Sequence, residues 1–227
     1  SGVVTLQNDN IGDSVTAEDG STTVYGQRLG SNPITLTTSS TVVKVQHPNH
    51  GMYSTSNNVT ITGVSSGVST TLNGAITATG TSVTLTSATN FPSSGTVHIK
   101  IDNEIMSGTI SGTTISSITR GQGSTTAAAH SNSATIELYM INSVPLTEIN
   151  KTHTAIANIG IDSYTVSTTT SASITGASTT VQVGGTSVYA SENYRFETVK
   201  TLIGTLELPE TTICLLYTSD AADERCR

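Results

Sequence analysis

Five histidines and a few carboxylates beside turn residues are the side chains of this 227-residue sequence whose types and spacing could carry chemistry. His47-Pro-Asn-His50 could offer two imidazoles to one cation. A catalytic zinc site needs three protein ligands and a structural one four, and neither Cys nor clustered carboxylate stands beside this pair. The favoured reading is a turn whose side chains cap backbone groups. Asp102-Asn103-Glu104 could supply the paired carboxylates of a glycoside hydrolase, yet it follows an alternating strand and reads as a solvated hairpin turn. His98, His130 and His153 fall in separate elements, with no G-x-S-x-G, P-loop or zinc spacing to join them. Arg120-Gly121 reads as an anchor that fixes the loop before TTAAAH by pairing with a carboxylate. The run Gln7 to Asp13 is rich in oxygen ligands, but the twelfth position of a calcium loop is Asp19 rather than Glu and the glycine comes one place early. These comparisons assign no catalytic residue, no cofactor and no metal ligand.

The elements that would hold such groups follow from composition. Ser and Thr make up about a third of the chain, and charged residues only 11% against about 25% in ordinary soluble domains. Hydrophobic residues are 34%, aromatic residues 4%, and there is no Trp. So little apolar material suits several small modules with narrow interiors better than one large core. The abundance of Thr, Val and Ile argues for strands and against disorder. Nine basic residues among sixteen acidic ones, a net charge of -7, disfavour nucleic-acid binding, which needs a cationic face. No window approaches the 18 apolar residues of a membrane span.

Alternation marks the strands. Val43 and Val45 oppose Lys44 and Gln46; Val59 and Ile61 point one way; Val97, Ile99 and Ile101 alternate with His98, Lys100 and Asp102; Ile136, Leu138 and Met140 alternate with Thr135, Glu137 and Tyr139. Val3 to Leu6, Thr22 to Tyr25, Ile34 to Thr37, Val181 to Val183 and Ser187 to Ala190 supply further short strands. A helical turn is expected in Thr125 to His130. Residues 145 to 164 fit both periods and are read as a turn of helix followed by a hairpin running to Val166. A helix is expected near Tyr194 to Leu202 and an edge strand at Glu207 to Leu208.

Residues 214 to 227, CLLYTSDAADERCR, break abruptly with this composition and hold both cysteines, Cys214 and Cys226. The run Cys214 to Glu224 resembles the translation of a transposon-end sequencing adapter. An amphipathic terminal helix or a structural cysteine pair is the alternative. The tail is set aside, and the reading frame is expected to be a fragment at both ends.

The segment FPSSGTVHIKIDNEIMSGTISGTTISSITRGQGSTTAAAHSNSAT, Phe91 to Thr135, resembles a small β-module of structural proteins of tailed bacteriophages, written FPSSGxIxIxxEI, a turn, then TRGxxGTTAAAH. HPNHGM with NNVTITGV (His47 to Val64) and PLTEINKTHTAIANIGIDSYTV (Pro145 to Val166) are similar to the two halves of a second phage module. Lys151 stands there where that module usually has Gly. ENYRFETVKTLIGTLELPETTI resembles connecting segments in virion proteins of contractile-tailed marine phages.

The resulting expectation is an all-β chain of tandem small sandwich or barrel modules, one inserted in a loop of another. Residues 1–40 form an N-terminal β-strand segment, 41–64 and 144–190 the host module, 65–143 the inserted module, and 191–213 a connector. The resemblance implies a non-enzymatic virion structural protein of the tail, baseplate or fibre, located in the extracellular particle. It implies other virion proteins as partners, with a host-surface glycan as a further candidate, while the narrow, Thr/Ser-rich modules, which complete their cores by association, predict a homo-oligomer, a trimer. Neither nucleic acid nor membrane insertion is expected. A secreted bacterial adhesin and a glycan-binding tail module are the rivals; the lack of Trp argues against the latter.

Overall fold

β-branched residues at every second position force the chain into extended segments whose apolar face must find a partner. In the computed structural model, which describes residues 14–16, 23–175 and 177–192, these segments pair into antiparallel sheets throughout. The chain is all-β, its described helical structure being one 3₁₀ turn, Leu146–Glu148. The expected Val3 to Leu6 strand, the Gln7 to Asp13 loop, the Tyr194 to Leu202 helix, the Glu207 to Leu208 strand and the tail from Cys214 lie outside the described residues.

The largest sheet has six strands in the order Ser69–Thr71, Thr135–Leu138, Ser94–Ile101, Glu104–Ser111, Thr114–Gln122, Val83–Thr84. All its strands come from residues 69 to 138. Its inner face closes over Val97, Ile99, Ile101, Met106, Ile110 and Ile136, all buried. The central hairpin is tight. A Cβ on Gly108 would sit 2.7 Å from Ile115 Cγ2 and 2.8 Å from Ser116 O, so only glycine fits there.

Besides two two-stranded ribbons, Ser14–Thr16 with Thr23–Tyr25 and Met140–Ile141 with Val144–Pro145, the described residues form two four-stranded sheets. One runs Ser163–Ser167, Val42–Gln46, Ile34–Thr37, Thr180–Val183, and the other Thr152–His153, Val59–Thr62, Tyr189–Glu192, Gln27–Arg28. Each pairs strands that precede the six-stranded sheet in sequence with strands that follow it. The six-stranded module therefore occupies a loop of the host. Val43, Val45, Val59 and Ile61 all face inward, as their alternation requires. Strands from residues 27 to 37, grouped with the N-terminal segment on sequence grounds, pair directly into the host sheets.

One residue staples the crossing point. Asn150 Oδ1 accepts from Val64 N at 2.9 Å and Asn150 Nδ2 donates to Val64 O at 2.9 Å, so the chain leaving the host is bonded to the chain returning.

Three expectations need correction. Thr125 to His130 is an irregular extended loop without a helical turn, because its donors and acceptors are drawn off by side chains described below. Tyr139, assigned to a wet face, is buried. The strand breaks there, and the phenol turns toward the host, where Asn150 Nδ2 donates to its oxygen at 3.3 Å. Residues 145 to 166 do begin with a turn of helix. The strand that follows, Ser163–Ser167, then takes Val42–Gln46 as its ladder partner, with a single bridge from Ala157 to Thr165 in place of a full hairpin.

Ile99 is fully buried at the centre of the six-stranded sheet. Ile99→Ala is expected to lower unfolding free energy by about 2–5 kcal/mol, measured by denaturant titration, whereas Thr79→Ala in an exposed turn should change it by less than about 0.5 kcal/mol.

Candidate functional site

At one end of the six-stranded sheet the two-residue turn Asp102-Asn103 joins paired residues Ile101 and Glu104. The next hairpin pairs Ile105 with Gln122. These two registers bring Glu104 beside Arg120 and Gly121 although they are sixteen residues apart in sequence. The side chain of Glu104 is 1% exposed. Arg120 grips it with two parallel bonds, Nε to Oε1 at 2.7 Å and Nη2 to Oε2 at 2.7 Å, the strong bidentate geometry of a guanidinium and a carboxylate. Gly121 N donates to Oε1 at 3.1 Å, Ala128 N to Oε2 at 2.9 Å, and His130 Nε2 lies 2.9 Å from Oε2.

The network continues outward. His130 Nδ1 lies 2.7 Å from Asp102 Oδ2, so each ring nitrogen faces a carboxylate oxygen. Arg120 Nη1 donates to Thr77 O at 2.8 Å and Gly80 O at 3.3 Å, and Nη2 also bonds Ala128 O. Thr125 Oγ1 donates to Gln122 O at 2.7 Å and accepts from Ile105 N at 3.0 Å. The loop from Gly121 to His130 is thereby held at its start, middle and end.

Asp102 and Glu104 therefore do not form one solvated turn pair. Asp102 is 62% exposed, but Glu104 is interior. His130, read from sequence as isolated, is the link between them. Arg120 does pair with a carboxylate, and its reach goes beyond the loop before TTAAAH to Ala128 within that segment. The partner was legible in principle, because the two hairpin registers fold Glu104 onto Arg120; recognising it needed the pairing and not the motif.

Burial alone would raise the Glu104 pKa. The bonds from Arg120, Ala128, His130 and Gly121 outweigh it and hold the carboxyl down at about 2. A glycosidase acid needs the opposite, a carboxyl kept protonated near neutral pH. Glu104 is chemically a fixed anion that organises donors.

The other histidines lie elsewhere. His47 and His50 are buried together against Tyr164, with ring centroids 5.6 Å apart and 5.8 and 5.4 Å from the Tyr164 ring. His50 Nδ1 accepts from Met52 N at 2.9 Å, the backbone capping that the turn reading expects, and His47 Nδ1 lies 3.3 Å from Tyr164 Oη. His153 Nε2 lies 3.0 Å from Ile149 O. The pKa of His98 is lowered by burial, partly opposed by Glu148; that of His153 is lowered by burial, opposed by the Ile149 bond and reinforced by Lys151. Among the described residues no group of three or more His, Cys, Asp or Glu is placed to hold a metal ion, and no helix is long and apolar enough to cross a membrane.

Beside the Glu104 network a cleft of about 730 Å³ opens between the pinned loop and the host segment that carries Thr147, Asn150 and Lys151. Lys100 and Asp102 also line it, and the Lys100 ammonium stands 5.7 Å from the centre of the Tyr139 ring. No protein-family model matches the chain, and no curated protein or solved structure matches it.

Two outcomes are expected. Because the folded pKa of Glu104 is depressed, its contribution to stability is complete above its ordinary value of 4.5 and is lost as pH falls toward about 2. His98 and His153, with depressed folded values, give an earlier loss that begins below pH 6.5. Denaturation midpoints measured against pH should show both limbs, with the lower one reduced in Glu104→Gln. Gly121 has φ +63°, and a Cβ there would meet Thr125 O at 2.9 Å. Gly121→Ala should cost about 1–3 kcal/mol and weaken amide-exchange protection of the loop from Gly121 to His130 more than that of the host sheets.

Proposed function

We propose that this chain is a structural protein of a tailed-phage virion, a tail, baseplate or fibre component that acts through assembly and surface contact and not through catalysis. The observation that carries the reading is what the resemblance motif does in the fold. The distinctive polar residues of EI, TRG and TTAAAH, namely Glu104, Arg120, Gly121 and His130, are all spent on one internal network. A motif used up in this way marks a building block, where an enzyme motif would present a reactive group to substrate.

The surface supports the same reading. Exposed faces are dominated by Ser and Thr, with cross-strand hydroxyl pairs such as Thr60 with Thr152 and Thr71 with Thr86. Among the described residues the large exposed apolar side chains are Val42, Tyr53 and Ile161, the last two flanking the loops around the buried His50. Narrow modules of this kind gain from completing their cores in symmetric association, and the intact protein is proposed to be a trimer.

Mass spectrometry of density-purified particles from the source culture should recover peptides of residues 27–192, and light scattering of the recombinant chain should give three times the monomer mass. Peptides confined to a bacterial cell-wall fraction would replace this reading with the adhesin. A strict monomer at high concentration would remove the trimer.

A further inference from the structure

We infer that Asn73-Gly74 is a modification site, at which the side-chain amide of Asn73 is lost to leave aspartate or isoaspartate, at a rate that Asn132 sets. The inference stands on chemistry and geometry alone and holds whether or not the chain belongs to a virion.

Asn73-Gly74 is the one Asn-Gly pair in the sequence. It lies just past the strand Ser69–Thr71, in a bend where both residues are exposed. The amide of an asparagine side chain is open to attack by the backbone nitrogen of the next residue, and any side chain on that residue crowds the approach. Glycine has none. Gly74 has φ +90°, and nothing lies within 4 Å of the place a Cβ would take, so packing does not wall off its nitrogen.

The step needs only water. Gly74 N bonds to Asn73 Cγ, the Cγ–Nδ2 bond breaks, and ammonia leaves with the proton that Gly74 N gave up, closing a succinimide ring. Water then opens the ring. Cleavage between Gly74 N and Cγ restores the ordinary backbone with an aspartate side chain. Cleavage between Gly74 N and the main-chain carbonyl carbon of residue 73 leaves the chain running through Cγ, which is isoaspartate.

Asn132 is the brake. Its Oδ1 accepts from Gly74 N at 2.8 Å, so the proton that must leave is held and the nitrogen is kept from turning toward Cγ. The flanks are tied as well. Asn73 N donates to Thr84 O at 2.8 Å; Leu72 N donates to Ala134 O and Leu72 O accepts from Ser133 N, both at 2.9 Å; Ile76 and His130 exchange two backbone bonds at 2.9 Å. Isoaspartate adds one atom to the main chain between Leu72 and Ile76. Because each of these is bonded twice to residues 130–134, both pairings cannot keep their register. Beyond Ile76 lie Thr77 O and Gly80 O, the carbonyls that Arg120 holds, so the change is felt at the Glu104 end of the module.

The test incubates the full chain in mildly alkaline buffer, native and in denaturant, and follows Asn73 by peptide mapping, with an isoaspartate-specific methyltransferase as the probe for the rearranged product. Asn73 is expected to convert before the other described asparagines, more slowly in the native chain than in denaturant. Asn132→Ala should speed the native reaction about two- to tenfold, the worth of one hydrogen bond, and leave the rate in denaturant unchanged. Aged chain enriched in isoaspartate should lose amide-exchange protection at Ile76 and His130. A native Asn73 still intact when the denatured chain has fully converted would overturn the site. Equal native rates for Asn132→Ala and the parent would overturn the brake, and undiminished protection at Ile76 and His130 would overturn the consequence. Should Asn132→Ala fail to fold, exchange of the Gly74 amide in the unaltered chain decides: protection above that of an unstructured peptide upholds the brake, and its absence overturns it.

Discussion

An ionised carboxylate in the interior, Glu104, is the constraint on which one whole end of the inserted module depends. Five donors converge on its two oxygens from Arg120, Gly121, Ala128 and His130, and Arg120 reaches past it to the carbonyls of Thr77 and Gly80. Three separate stretches of chain, around residues 77–80, 102–104 and 120–130, are thereby referred to one charge. A buried ion pair brings little net stability compared with an apolar replacement of the same volume, while loss of one partner costs about 3–5 kcal/mol because the other is stranded. What the arrangement contributes is a single geometry. With so little apolar material in the chain, loops at the sheet end have few side chains to pack with, and a charge cluster positions them instead.

Much of the strand content was legible from period-two alternation. Val43, Val45, Val59, Ile61, Val97, Ile99 and Ile101 face inward as their spacing demands, because a pleated strand with one dry face leaves no other choice. Legibility fell where side chains compete with the backbone. TTAAAH has alanines that favour a helix, yet Glu104 takes the amide of Ala128 and Arg120 takes its carbonyl, so helical bonds cannot form there. Tyr139 misled for a related reason: Asn150 captures its phenol and pulls the ring out of the alternating face. The functional cluster was half visible. Arg120 announced a carboxylate partner, but the identity of that partner, and the role of His130, are properties of two hairpin registers that no local pattern encodes.

The insertion shows how a host with short strands tolerates a guest nearly as large as itself. Closing a longer loop costs only about 0.6 kcal/mol for each doubling of its length, provided the loop ends meet in their native positions. Here they are made to meet. Asn150 satisfies both backbone groups of Val64, while Ser66 Oγ donates to Leu138 O and Leu138 N donates to Val68 O, closing the neck from the guest side. The two strands of the neck are thus bonded to each other before either module's core begins, and each core can form over its own residues.

The same neck explains why the cleft lies where it does. Asn150 holds Val64 with its amide and the Tyr139 phenol with its Nδ2, so the host wall and the guest floor under Lys100 share one anchoring residue. The opposite wall answers to Glu104. Two independent anchors, one neutral and one charged, fix the two sides of a gap that neither fills, and the alanines and short hydroxyl side chains on the loop keep it open. Had the loop carried Leu or Phe at Ala128 or Ala129, apolar burial of about 1.5–3 kcal/mol per side chain would favour collapse across the gap. Small side chains on a rigidly held loop preserve the opening.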